Sequence, residues 1–233
     1  YHDYGGASRH IHVGNRQFTL YARARLGIEM PCLEGTCDCH RHVTDLRGNS
    51  WHGWWCGAKG MQKLIDVRHD DIKDELAEAI GQLPGKQAET EVQYLHTTEV
   101  ADVAINGDEF FIDVAVVAPQ GEGYIAKNGA DRVAGAAAEA RYKEKEVKYY
   151  NALNPPGSQG ALRANAEDRR SPRRTGMFIL EATGRFAKRT WTWLRKLFKG
   201  QMAILRELCR KISYILASKG GELLVQGVKR WVR

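Results

Sequence analysis

The sequence lacks three features that would assign a chain quickly to a large class of proteins. It has no run of about 18 uncharged apolar residues, so we expect no segment that spans a membrane. It has no internal repeat, which excludes repeat architectures. It begins at Tyr1 without a secretory signal peptide, so we expect a piece of a longer protein that is not secreted.

Acidic residues are scarce in the last third of the chain. Residues 163–233 contain 18 lysines and arginines against 5 aspartates and glutamates, a net charge of +13. Since the whole chain carries +7, residues 1–162 carry −6. An acidic front and a basic back indicate a polyanionic partner such as a nucleic acid, although a solvated basic helical face would give the same count.

Cysteine is also rare, yet four of the five cysteines lie within 25 residues, at 32–56. The segment CDCHRHVTDLRGNSWHGWWC presents Cys37-x-Cys39 and, after twelve intervening residues, His52-x3-Cys56. Zinc takes four nitrogen or sulfur ligands in a tetrahedron, usually as two close pairs joined by a loop, so we predict a structural Zn²⁺ site. A nucleophilic Cys/His pair is the minor alternative. Three further side chains compete as ligands: Cys32, His40 and His42.

Hydrophobic spacing and turn residues predict the secondary structure of the remaining chain. Helices are predicted at 18–27, 61–81 and 130–153, followed by two or three basic amphipathic helices at 185–233 with breaks at Gly200 and Gly220-Gly221. Strands are predicted at 89–96, at 100–117 as a hairpin and at 176–184, and loops at 121–129 and 155–175.

This order of elements predicts the α/β class, with a central mixed sheet of about four strands flanked by helices. We divide the chain into a lead-in helix and linker at 1–30, a zinc knuckle at 31–60, a core at 61–184 and basic C-terminal helices at 185–233.

Two aspartates interrupt the apolar hairpin VADVAINGDEFFIDVAVV. A two-residue turn at Gly107-Asp108, or a four-residue loop at Asn106–Glu109, pairs residues whose numbers sum to 215, which sets Asp102 opposite Asp113. A turn at Asn106-Gly107 shifts the pairing by two and keeps both on one face. Opposed Cβ atoms lie roughly 5 Å apart, so the two charges repel unless a hard divalent cation lies between them. The alternative is that one aspartate is solvated or paired with a lysine or arginine. Glu91 is the candidate third acid.

The helix after the hairpin carries cations on one face. Arg141, Lys145 and Lys148 follow the spacing i, i+4 and i+7, and Tyr149 adjoins them. A cation held by carboxylates polarises a phosphate and activates a water molecule, and a nearby lysine stabilises the growing charge. A solvated face balanced by neighbouring glutamates is an equally common use of this pattern.

Several motifs occur together in the order of a known family. They are LYARARLGIEMP, CDC…WHGWWC, RHDDIKDEL, VADVAI…FFIDVAVVAP, AAAEARYKEKEVKYY and FILEATG. Over roughly residues 17–200 the chain therefore resembles the restriction-like endonuclease domain of site-specific non-LTR retrotransposons, a branch of the PD-(D/E)xK nuclease superfamily with a preceding zinc knuckle.

The resemblance implies roles for individual residues. Asp102 and Asp113 would hold the catalytic Mg²⁺ or Mn²⁺, and Lys145 would be the catalytic lysine, supported by Lys148 and Tyr149. In this branch the lysine comes from the helix, which accounts for Ala115 at the second position after Asp113, where other branches carry the lysine.

The resemblance also implies a biological setting. The domain would nick target DNA in the nucleus so that a linked reverse transcriptase, elsewhere in a larger polyprotein, can prime on the free 3′ end; the RNA of the element is a second candidate partner. A catalytically inactive, zinc-stapled docking domain is the alternative. Four arginines of the RRSPRRTG loop are expected to bind the phosphate backbone: Arg169, Arg170, Arg173 and Arg174.

Overall fold

The computed structural model describes most of the chain: residues 13–26, 28, 36–37, 39, 44–45, 52–93, 100–106, 110–130, 132–153 and 174–231. The helices are α1 (Asn15–Arg25), α2 (Met61–Gly81), α3 (Glu122–Asn128), α4 (Ala136–Leu153), α5 (Lys188–Leu197) and α6 (Met202–Trp231), with a 3₁₀ helix at His52–Trp54. The strands are β1 (Thr36–Cys37), β2 (Thr44–Asp45), β3 (Ala88–Gln93), β4 (Val100–Ile105), β5 (Phe110–Val117) and β6 (Arg174–Glu181). Among these helices none is long and apolar enough to cross a bilayer.

The main sheet has the order β3-β4-β5-β6. The first three strands run antiparallel and β6 runs parallel to β5, so the predicted mixed sheet of four strands is confirmed. A parallel pair cannot be joined by a tight turn, and α3 and α4 lie in the connection between β5 and β6. This connection brings α4 against β5 and β6.

Alternating residues of β5 face two different cores. Ile112 and Val114 point into the larger core, where α2 and α6 cover the sheet with residues such as Ile72 and Leu208. Phe111 points into the smaller core on the α4 side. Successive side chains of a strand point to opposite faces of the sheet. The same alternation therefore decides which face each aspartate of the hairpin occupies.

The free edge of β6 is covered by the segment that leads into α5. Thr190 Oγ1 donates to the carbonyl of Met177 at 2.7 Å and accepts the amide of Ile179 at 3.1 Å. The amide of Ala187 donates to the carbonyl of Ile179 at 3.0 Å. These contacts satisfy edge groups that would otherwise be open to pairing with another strand, and they fix α5 beside the middle of β6.

The helix break predicted at Gly220-Gly221 is wrong, because α6 continues through both residues. A Cβ on Gly221 would lie 2.5 Å from the carbonyl oxygen of Gln17 on α1, and one on Gly220 would lie 3.3 Å from Tyr21. The glycines therefore allow α1 to approach the α6 backbone closely. The packing gain offsets the cost of about 1 kcal/mol that each glycine adds inside a helix.

The loop predicted at 121–129 is also wrong in part, since α3 lies within it. Gly121 precedes the helix in an extended conformation, and Gly129 ends it with φ of 61° while its amide donates to the carbonyl of Ile125 at 3.0 Å. The glycines that indicated a loop act as the end caps of a short helix. The following helix begins at Ala136, six residues later than predicted.

Replacing Gly221 by alanine is expected to destabilise the fold by about 1–3 kcal/mol despite the better helix propensity of alanine, because the new methyl group meets backbone. Gly81→Ala is the matched control, since a Cβ at that position would have no atom within 4 Å and the residue ends α2. We expect the control to be neutral or slightly stabilising. Urea unfolding measures both, and equal stability of the two variants would contradict the close-approach explanation.

Candidate functional site

Four of the predicted zinc ligands converge in the structure. Cys37, Cys39, His52 and Cys56 offer ligand atoms that all lie within 4.8 Å of one another. We call them the CCHC cluster. Cys37 Sγ lies 3.7 Å from Cys56 Sγ, and two sulfurs on a tetrahedral zinc lie about 3.8 Å apart, since the Zn–S bond is about 2.3 Å. Donor set and spacing therefore fit a structural zinc.

Short elements hold the CCHC cluster together. Strands β1 and β2 pair antiparallel and carry Cys37, and the 3₁₀ helix carries His52, whose Nε2 lies 3.0 Å from Cys39 Sγ. Trp55 lies edge-on to the ring of His52, with ring centroids 5.3 Å apart. The cluster is buried except at Cys39, which suits a closed structural site.

Trp54 ties the CCHC cluster to the rest of the fold. It is buried, packs at 6.0 Å from the ring of Tyr21 on α1, and donates its Nε1 hydrogen to the carbonyl of Gly220 on α6 at 3.2 Å. A Cβ on Gly53 would lie 3.0 Å from the carbonyl oxygen of Leu223, so the 3₁₀ helix rests directly on the backbone of α6.

The thiols of the cluster are poor candidates for nucleophiles. Burial raises the pKa of Cys56 to about 12 and also raises the pKa of Cys39. A nucleophilic cysteine needs a lowered pKa so that the thiolate is present. The minor alternative of a Cys/His nucleophile therefore loses support. The competing ligands Cys32, His40 and His42, and Trp51 beside the cluster, lie outside the described residues.

A second constellation forms around Asp113 on β5. The side chain of Asp113 is 6% exposed, and Lys145 Nζ on α4 lies 3.0 Å from Oδ1 and 2.9 Å from Oδ2. Tyr149, one helical turn further along α4, donates its hydroxyl to Oδ1 of the same carboxylate. Lys148 instead places its Nζ 5.3 Å from the centroid of the Tyr149 ring. Lys145 is thus the lysine that touches the acid.

Asp102 on β4 lies next to this constellation but has different partners. Its Oδ2 accepts the backbone amide of Val114, the residue after Asp113, at 2.6 Å. The same oxygen lies 3.3 Å from Nε2 of His69 on α2. The carboxylate takes the place of a backbone acceptor in the ladder between β4 and β5.

The register of the hairpin is the predicted one. Pairs such as Val103 with Ile112 and Ile105 with Phe110 sum to 215, so Asp102 and Asp113 are the next residues on the two strands. The two carboxylates nevertheless contact different helices, α2 for Asp102 and α4 for Asp113. The reason is local: the Asp102 carboxylate turns into the gap between the strands to bind an amide.

His69 is the residue that sequence reasoning missed. Its Nδ1 lies 3.2 Å from Asp70 Oδ1, and its Nε2 lies near both Asp102 and the carbonyl of Val114. Oxygens beside both ring nitrogens favour the doubly protonated ring, and the hydrogen bond to Asp102 raises the pKa of His69 to about 9 against the opposing effect of burial. The available signal was its position in RHDD, one turn before Ile72 on the sheet-facing side of α2.

Glu91 lies level with Asp102 in the sheet, between the pairs Thr90–Val103 and Val92–Ala101. Its carboxylate contacts Lys73 Nζ on α2, and its own φ is 56°, an uncommon conformation for a residue with a side chain. Lys73 also lies 3.4 Å from Asp70. Glu91 on β3 is thus paired with a charged side chain of α2. A role for it as a third metal ligand stays a prediction.

Most of the predicted phosphate-binding arginines fall outside the described part of the chain. Arg169, Arg170 and Arg173 lie outside the described residues, and Arg174 opens β6 beside Phe110. Comparison with known proteins found no matching family model and no match among curated proteins.

Proposed function

We propose that the chain is a metal-dependent DNA endonuclease domain that nicks target DNA by phosphodiester hydrolysis during target-primed retrotransposon integration. One observation carries the proposal: Lys145 and Tyr149 on α4 contact the buried carboxylate of Asp113, while Asp102 binds the amide of the following residue, Val114. Two acids thus occupy opposing positions of one strand pair, and the lysine contacts one of them. The nuclear location and the linked reverse transcriptase belong to the same proposal.

The acids offer a donor set that suits Mg²⁺ or Mn²⁺. Both are hard carboxylates, and Mg²⁺ is commonly held by one or two carboxylates together with substrate phosphate. Asp113 Oδ2 is buried and makes no hydrogen bond of normal geometry despite its ionic contact with Lys145. When bound, the cation would polarise the scissile phosphate and lower the pKa of a water molecule.

The remaining residues of the site place a positive charge next to Asp113 and orient the two carboxylates. The ammonium group of Lys145 lies where it can stabilise negative charge that grows on a phosphate next to Asp113. Tyr149 fixes the orientation of Asp113 through its hydroxyl, and His69 does the same for Asp102 from the other helix. Preorganised donors of this kind need no rearrangement during reaction.

Nicking of supercoiled plasmid DNA tests the proposal and separates the two lysines. We expect the wild-type chain to nick DNA with Mg²⁺ or Mn²⁺ and not when no divalent cation is added. Lys145→Met is expected to lower the rate by about 10²–10³-fold, the usual cost of removing one transition-state donor. Lys148→Met is the matched control on the same helix and is expected to lower the rate by less than about 10-fold, because its ammonium faces the Tyr149 ring and not Asp113.

Equal losses in the two lysine variants would contradict the role given to Lys145. Nicking that survives Asp102→Ala and Asp113→Ala would contradict the nuclease proposal altogether. Both outcomes require that the variants retain their circular dichroism spectrum and melting temperature, since the contact between Lys145 and Asp113 is largely buried.

A second candidate is a docking domain that binds nucleic acid without cutting it. The observation that favours it is the pairing of each acid with a basic side chain of the protein, Lys145 for Asp113 and His69 for Asp102. Carboxylates paired in this way do not need a metal to offset their repulsion. Salt-sensitive DNA binding with no cleavage in any divalent metal would favour this candidate.

A further inference from the structure

The segment from Arg185 to Gly200 is purely basic. It carries six cations and no acidic residue, and all six are exposed. Among the described residues only Arg189 forms an ion pair, at 2.6 Å from Glu146 on α4. The other five have no ionic partner in the described part of the chain: Arg185, Lys188, Arg195, Lys196 and Lys199.

Several cations of α6, in contrast, form ion pairs with acidic residues. Lys211 lies 2.7 Å from Glu75 and 3.3 Å from Glu78, both on α2. Arg210 lies 2.6 Å from Glu207 within α6 itself. Part of the positive charge on α6 is therefore offset inside the molecule, whereas on α5 only Arg189 has an acidic partner among the described residues.

Helical spacing gathers the charges of α5 into one stripe. Lys188 and Arg195 are seven residues apart, which places them on one side of α5. Lys199 lies two residues beyond Leu197, where α5 ends, and adds a third positive charge close to Arg195 in sequence. Like charges gathered in this way repel one another. The repulsion between these cations is relieved when the phosphates of a polyanion bind along the stripe.

Trp191 stands beside this stripe, three residues after Lys188 and four before Arg195. Its side chain is 37% exposed, and one side of its ring stacks on Phe186 with centroids 5.8 Å apart and planes at 26°. A ring held in this way cannot turn freely. The exposed part of the ring can stack on another planar group, such as an unpaired nucleobase whose phosphate contacts a neighbouring cation.

Contacts connect α5 directly with the proposed nuclease site. Thr190 and Trp193 both donate to the carbonyl of Met177, and Met177 is the partner of Asp113 in the pairing of β5 with β6. Arg189 reaches Glu146, the neighbour of Lys145 on α4. The stripe thus lies on a helix that is fixed to both elements carrying the site.

We propose that the surface formed by Lys188, Trp191 and Arg195 of α5, together with Lys199 just beyond its end, binds single-stranded DNA, with the cations on the phosphates and Trp191 stacked on a base. We call this surface the α5 face. The choice of DNA as the polyanion rests on the proposed nuclease function. The choice of a single strand rests on Trp191, because bases within a duplex are stacked on each other and leave no ring face free.

Fluorescence anisotropy with labelled single-stranded DNA tests the charges. It is measured over a range of salt concentrations without added divalent cation, so that the proposed structural zinc is not stripped. The slope of log K against log salt is about −0.7 for each phosphate neutralised on a single strand. Arg195→Gln/Lys199→Gln is expected to reduce the slope by about 1.4. Lys59→Gln/Lys63→Gln removes the same charge at the start of α2 and is expected to leave the slope unchanged.

Trp191→Leu tests the stacking, because leucine keeps an apolar side chain against Phe186 but has no ring. We expect affinity for single-stranded DNA to fall by about 5- to 150-fold, the cost of one lost base stack, with duplex affinity nearly unchanged. Equal losses for both forms of DNA, or equal slopes for the two double variants, would overturn the α5 face as a single-strand site. Tighter binding of RNA of the same sequence would overturn the assignment to DNA.

The binding assay is separable from cleavage because it contains no added divalent cation. Binding through the α5 face by a chain that cuts no DNA would refute the nuclease and leave this surface intact. Cleavage that is unaffected by all three α5 substitutions, with wild-type binding slopes, would refute the surface and leave the nuclease intact.

Discussion

Asp113→Asn is expected to abolish most metal-dependent nicking, with a loss of more than about 100-fold. Substitutions of groups that merely support a metal ligand commonly cost about 10–100-fold, and Asp113 is proposed to be a ligand itself. Asparagine keeps the shape of the side chain and an oxygen for the Tyr149 hydroxyl. It removes the negative charge that faces Lys145.

The same substitution has a cost in stability that must be measured beside the activity. Breaking a buried ion pair by removing one charge costs about 3–5 kcal/mol, because the remaining charge is left without its partner. Lys145 is less buried than Asp113, so we expect a loss toward the lower end of this range. Thermal melting shows whether the variant is folded at the temperature of the nicking assay.

Glu181→Gln is the matched control for Asp113→Asn. Glu181 is a buried acid on the neighbouring strand β6, and its carboxyl faces the amides at the start of α4, away from the Lys145 turn. Burial raises the pKa of Glu181, so a neutral glutamine replaces it at modest cost. We expect nicking to be retained. A loss of activity as large as that of Asp113→Asn would mean that any damage to the packing of α4 stops the reaction.

Removal of zinc is expected to have the largest effect on stability. Structural zinc contributes folding free energy on the order of 10 kcal/mol, which is comparable to the whole stability of a domain. Without the metal, the buried thiols and His52 lose the ion that joins them, and Trp54 loses the support that holds it between α1 and α6. We therefore expect a large fall in melting temperature on treatment with a strong zinc chelator.

Two cysteine variants make the zinc prediction specific. Cys56→Ala removes a ligand and is expected to reduce bound zinc below one ion per chain and to lower the melting temperature steeply. Cys209→Ala removes a thiol on α6 outside the CCHC cluster and is expected to keep the metal. Elemental analysis and thermal melting measure both. A wild-type chain that contains no zinc after purification in its presence would contradict the assignment.

The sequence predicted those features that depend on short-range spacing. The CCHC cluster depends on ligand spacing, and the hairpin register depends on the length of one turn, so both could be read from a few consecutive residues. The mixed sheet followed from the order of elements. These are the parts of the fold in which local chemistry and tertiary structure agree.

The features that sequence reasoning missed depend on distant parts of the chain. Gly220-Gly221 carries a local signal for a break, and only the approach of Gln17, some 200 residues away, explains why the helix continues. His69 has an ordinary place in an amphipathic helix until β4 brings Asp102 to it. The choice between Lys145 and Lys148 likewise needed the angle at which α4 crosses β5, which spacing alone does not give.

The long helix α6 makes distant parts of the chain depend on one another for their packing. It spans 30 residues and packs against α1, α2 and the 3₁₀ helix, so elements far apart in sequence share one partner. Residues 61–184 alone would lack the cover that α6 gives to Ile72 and Leu76. Insertions between residues 61–184, the CCHC cluster and α6 are therefore expected to be tolerated better than the exchange of any one of these parts alone.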